Sequence, residues 1–175
     1  MGDAGTTRRA RPGVALACAA VVVASAAAGT LVVSGERAGA GPVVLAAGFL
    51  LVAAASATGR PGRPRERVLV SLADRALDGC VLGALVWSAR RADPGLAAAA
   101  LLCFALGALA AYARARACGL GYDLGWLSPI SAVKTGGIGL ALLLGWGTGG
   151  YLAIAAWLAV ATIVRVSQVW KEELA

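Results

Sequence analysis

The chain has 175 residues, is 59% hydrophobic with a mean hydropathy of +0.78, and carries only 14% charged residues. A soluble domain keeps about a quarter of its residues charged, so this composition excludes one and points to an all-α integral membrane protein. The net charge of +7 then belongs to loops at a membrane face rather than to nucleic-acid binding, and the absence of histidine excludes a His-based triad or His-rich metal site.

Residues 1–12 form a polar, basic tail with Arg8, Arg9 and Arg11, and residues 13–170 a single membrane domain. Gly13 to Val33 is long enough to cross a bilayer, which takes about 20 apolar residues. Its basic start and the small residues Ala24 to Gly29 also fit a cleaved signal peptide, but the apolar run continues through Leu31, Val32 and Val33. A turn with Glu36 and Arg37 leads to a second span, Gly41 to about Ala57. The Pro- and Gly-rich loop 58–67 follows, with Arg60, Arg63, Arg65 and Arg67, and is not expected to be helical throughout.

The third span, about Val68 to Ala89, carries Asp74, Arg75 and Asp78. After Arg90 and Arg91, Asp93 is suited to cap a helix and Pro94 to open it, so the fourth span runs from Gly95 to about Ala113 and out into Arg114 and Arg116. A Gly-broken loop, Gly119 to Gly125, precedes the fifth span, which starts near Pro129 and ends in the Gly-rich turn 145–150. The sixth span, Tyr151 to about Val169, leads to a short tail at 171–175. Trp126, Trp146, Tyr151 and Trp170 fall at span ends, where an aromatic belt belongs. Cys18, Cys80, Cys103 and Cys118 share no C-x-x-C spacing and read as small core hydrophobes with reduced thiols.

Six spans with the N-terminus inside place Arg8, Arg9, Arg11, Arg60, Arg63, Arg65, Arg67, Arg114, Arg116, Arg165 and Lys171 on the cytoplasmic side. Only Arg37, Arg90 and Arg91 fall outside. Both termini are therefore expected in the cytoplasm. The Ala-, Gly- and Arg-rich usage resembles high-GC bacterial coding, which makes the membrane a bacterial inner membrane.

Asp74 and Asp78 stand four residues apart, on one helical face, beside Gly79 and Gly83. A charged side chain at membrane depth costs at least ~2.5 kcal/mol and normally marks a functional site with a partner. On the expected topology, Arg75, Arg114, Arg116 and Lys134 converge with the two acids at one depth. Two readings follow from charge alone. Carboxylates can hold a hard cation while arginines bind phosphate, as an amphiphilic phosphorylated ligand from the inner leaflet requires. Alternatively, the charges neutralise one another and fix helix register.

Asp74-Arg75-Ala-Leu-Asp78-Gly79, followed by Tyr112-Ala-Arg-Ala-Arg116 and Gly119-Leu120, resembles the CDP-alcohol phosphatidyltransferases, most closely the actinobacterial phosphatidylinositol-phosphate synthases. The resemblance implies a six-helix fold, a homodimer, and a D-x-x-D-G-x-x-A-R-x(8)-G-x-x-x-D-x-x-x-D motif holding two divalent metals over a CDP-diacylglycerol pyrophosphate. Laid on this chain, its last Asp falls on Asp74, the presumed base. The other metal positions fall on Phe49, Val52 and Val70, and the motif glycines on Ala53 and Glu66. Arg114 and Arg116 stand where the family contacts acceptor phosphate, but its E-R-x-x-R stretch reads Ser128-Pro-Ile-Ser-Ala132 here, with Lys134 nearby.

Three of the four metal carboxylates are thus replaced. The expectation is a degenerate transferase that needs no cofactor and binds a phospholipid, a phosphorylated or CDP-linked lipid, or an active relative, through Arg75, Arg114, Arg116 and Lys134. It is expected as a homodimer or as a heterodimer with a related transferase. The alternative is a working, CMP-releasing phosphatidyltransferase of phospholipid biosynthesis, with Asp74 catalytic and Mg²⁺ or Mn²⁺ held at Asp74 and Asp78.

Overall fold

The computed structural model describes residues 12–58, 64–119 and 128–173. Arg8, Arg9, Arg11, Arg60, Arg63 and Trp126 lie outside the described residues, as do the side chains of Cys118, Arg165, Trp170 and Lys171. The described residues form six helices: α1 (Pro12–Ser34), α2 (Arg37–Ala57), α3 (Pro64–Ala89), α4 (Pro94–Gly119), α5 (Ser128–Leu143) and α6 (Thr148–Glu173). Three apolar stretches, Pro12–Ser34, Arg37–Ala57 and Pro94–Ala117, are long and apolar enough to cross a membrane. Helix α3 has the length but carries Asp74, Arg75 and Asp78 in its middle, and α5 has only 16 residues.

Local chemistry sets the turns. Helix α1 ends in a Schellman motif: Gly35 adopts φ +93°, its N–H donates to Val32 O, and the Glu36 N–H donates to Leu31 O at 2.9 Å. The α5–α6 turn repeats the device, with Gly145 at φ +65° and the Trp146 N–H donating to Ala141 O at 2.8 Å. Between α3 and α4, Asp93 Oδ1 accepts the Leu96 N–H at 2.9 Å and Pro94 takes the first helical position, the cap that the sequence predicts.

Helix boundaries depart from expectation where local chemistry outweighs composition. Helix α3 opens at Pro64, inside the stretch expected as loop, because proline lacks only an N–H that the first turn leaves unbonded anyway. Helix α2 starts at Arg37 because the tight Gly35 turn lets the helix resume at once. Helix α4 runs on to Gly119 through good helix formers such as Ala and Arg. Helix α6 begins at Thr148 and passes through Gly150, whose missing side chain admits Trp146: a Cβ there would stand 2.8 Å from Trp146 Cβ.

Small residues let the helices meet backbone to backbone. A Cβ on Gly29 would come within 2.9 Å of Cys80 O, joining α1 to α3. One on Gly41 would lie 2.7 Å from Leu143 N, and one on Gly48 2.8 Å from Thr135 Cγ2, so α2 and α5 pack in opposite directions. Cys103 Sγ donates to Tyr151 O at 3.0 Å, and Gly95 sits by Thr148, so α4 and α6 run together. The starts of α1, α3 and α5 thus share one end of the bundle, termed basal, with the ends of α2, α4 and α6. Turns 35–36, 90–93 and 144–147 form the opposite, apical end. Tyr151 is 1% exposed, so it is a core residue packed by α4 and not the belt aromatic expected at that position. Trp146, 48% exposed at the apical end, does suit that role.

Candidate functional site

In the basal half, three helices meet at a buried ionic cluster. Asp74 and Asp78 face inward from α3 at one helical turn's spacing, and both are buried. From α5, Lys134 extends toward them and is itself only 2% exposed. Its Nζ lies 2.6 Å from Asp78 Oδ2, and 3.3 and 3.5 Å from the two oxygens of Asp74. Arg75 turns back along its own helix, pairing with Asp74 Oδ2 and placing Nη1 3.1 Å from Asp78 Oδ2. One turn before Lys134 on the same face of α5, Ser131 Oγ donates to Asp74 Oδ1 at 2.5 Å.

Gly107 closes the cluster from α4. A Cβ there would sit 3.6 Å from Lys134 Cδ, 3.7 Å from Asp78 Oδ2 and 3.8 Å from Arg75 Nη1. Any larger side chain would press on the ion pairs. Two carboxylates and two cations sum to zero, which is what a low-dielectric interior requires of buried charge. Helix α5 takes its backbone packing from α2 and α6, and the side chains of Ser131 and Lys134 carry its polar link to α3.

Of the residues singled out in the sequence, the structure brings together Asp74, Asp78, Arg75 and Lys134. It does not bring in Arg114 or Arg116. Both are exposed on the last turns of α4, and no ion pair links them to either acid. The reason is length: from Gly107, the α4 residue at the cluster, seven residues to Arg114 span about 10 Å of helix. Phe49 and Val52 are 76% and 38% exposed, so they lie on the outer face of α2 and are not turned into the bundle beside Asp74. No group of three or more Asp, Glu, His or Cys side chains suited to a metal forms among the described residues.

Ser131 and Gly107 were not singled out in the sequence. Ser131 carried a usable signal, since it precedes Lys134 by three residues and must share its face. Gly107 carried none beyond being a glycine in an apolar helix. Glu66, in the first turn of α3, is also buried, at 3% exposed.

Among the described residues, the exposed cations at the basal end are Arg65 and Arg67 on α3, and Arg114 and Arg116 on its hairpin partner α4. None forms an ion pair with a carboxylate among the described residues. They form a basic rim about two to three helical turns beyond the buried cluster. In comparison with known proteins, no family model, no curated protein and no solved structure matches this chain.

Proposed function

We propose that this chain is a non-catalytic, phosphatidyltransferase-like membrane protein of six spans, with its basal end and both termini cytoplasmic, that binds phosphorylated lipid headgroups at the inner leaflet. The observation that carries the reading is the position of Lys134. Its ammonium lies between the two acids, where the enzymatic alternative would place its divalent cation. A metal there would have to displace a covalently tethered cation and bring two cations against Arg75. The residues present therefore do not fit a two-metal centre. Pyrophosphate cleavage develops charge on the leaving CMP and the attacked phosphoryl group together, and in the resembled family two metal ions share the task of neutralising it.

The basic rim supports the binding half of the reading. Arg65, Arg67, Arg114 and Arg116 are exposed and suited to paired hydrogen bonds with phosphate oxygens. Juxtamembrane arginines of this kind are worth about 1 kcal/mol each toward anionic lipid. Purified protein incubated with CDP-diacylglycerol, Mg²⁺ or Mn²⁺, and inositol phosphate, glycerol phosphate or serine should release no CMP. CDP-diacylglycerol should nevertheless raise its melting temperature in detergent, and Arg114→Gln with Arg116→Gln should remove most of that rise. Metal-dependent CMP release abolished by Asp74→Asn would make the chain an enzyme.

A further inference from the structure

On the outer face of the α3–α4 hairpin, on the apical side of the ionic cluster, an apolar groove of about 170 Å³ is lined by Gly79, Leu82, Gly83, Val86, Leu101 and Phe104. Its floor is glycine: a Cβ on Gly79 or Gly83 would meet nothing within 4 Å, so these glycines serve no contact inside the bundle. The stripe 79, 83, 86 continues along the helix to residue 90, at steps of four, three and four. Backbone helical geometry persists that far, since the Arg90 N–H donates to Val86 O at 3.0 Å.

Arg90 is held in place there. Its guanidinium stacks 3.3 Å over the ring of Trp87 and Nη1 donates to Trp87 O at 2.5 Å. Most of its five N–H donors stay open. Arg91 beside it is also exposed, and neither arginine has a carboxylate partner among the described residues. The nearby acid, Asp93, is engaged in capping α4.

We infer that this groove and its cationic mouth form a site for one anionic phospholipid of the apical leaflet, its acyl chain along Gly79–Val86 and its phosphate on Arg90 and Arg91. Charge complementarity selects the occupant. An apolar slot that opens at the depth of an exposed tryptophan, under two unpaired cations, matches a chain joined to a phosphate. The stacked arginine is already ordered, so little side-chain freedom is lost when phosphate binds.

Native mass spectrometry of the detergent-purified full chain, titrated with phosphatidylglycerol or phosphatidylcholine, tests this. Arg65, Arg67, Arg114 and Arg116 are changed to Gln in every sample, so that the basal rim does not contribute. The expected result is preferential retention of one phosphatidylglycerol, weakened about fivefold by Arg90→Gln, the equivalent of ~1 kcal/mol for one interfacial charge. Gly83→Leu fills the groove and should reduce retention of both lipids. The backbone there accepts a side chain, because nothing lies within 4 Å of the added Cβ. Unchanged phosphatidylglycerol retention in both variants would overturn the proposal. So would a shift from dimer to monomer in Gly83→Leu with lipid retention intact, since a second copy would then be what covers the groove.

Discussion

Two of the interfaces of α3, those with α1 and α5, are built on opposite principles. Against α1 the helices touch backbone to backbone, with Gly29 pressed on the Cys80 carbonyl, and no side-chain hydrogen bond or ion pair joins the two helices among the described residues. Toward α5 the link is electrostatic, two acids meeting Lys134 and Ser131. In a bilayer, lipid tails are as apolar as leucine, so helices associate by close packing or by polar groups that avoid hydrocarbon. The first kind of interface tolerates sliding as long as small residues stay opposed. The second fixes one register, because moving either helix by one turn would strand a charge.

That contrast sets the order of effects on substitution. Lys134→Met should be the most damaging change, leaving two buried carboxylates with only Arg75. Removing one partner of a buried ion pair costs about 3–5 kcal/mol, which a chemical or thermal melt in detergent would register. Gly41→Leu comes next. Its Cβ would lie 2.7 Å from backbone at Leu143, and overpacking of this kind costs roughly 1–3 kcal/mol, read by the same melt.

Ser131→Ala should cost about 1.5 kcal/mol, the low end for a hydrogen bond to a charged group, because Asp74 keeps Lys134 and Arg75. Asp93→Ala removes the α4 cap alone and should cost ~1 kcal/mol. If Lys134→Met proved no worse than Asp93→Ala, the acids would be solvated rather than paired, and the contrast between the two interfaces would disappear.

The sequence made parts of this arrangement readable and hid others. Asp74 and Asp78 stood out because carboxylates in an apolar run are costly wherever the helix goes. The Asp93–Pro94 helix start was equally plain, since capping is settled within a few residues. Which cations would answer the acids was not readable. Arg114, Arg116 and Lys134 all fell at a suitable depth, and only the register of α4 and α5 against α3 puts Lys134 at the cluster and the α4 arginines beyond it. The start of α3 was obscured by its own composition, since the prolines and glycines of 58–64 read as loop up to the first turn. Tyr151 misled for a related reason: position at a span end fits a belt residue, while burial against α4 depends on a neighbour distant in sequence. Trp87 went unremarked because its significance comes from Arg90 stacked upon it.

The most direct measurement of the claim that Lys134 is the built-in counter-ion is a stability cycle of Lys134→Met, Asp78→Asn and the two combined, followed by thermal melting in one detergent. If Lys134 neutralises the acids, the single Lys134→Met variant loses several kcal/mol and the double variant recovers most of that loss, because charge balance is restored with Asp74 on Arg75. Strictly additive losses in the double variant, or a Lys134→Met variant as stable as the parent chain, would contradict it.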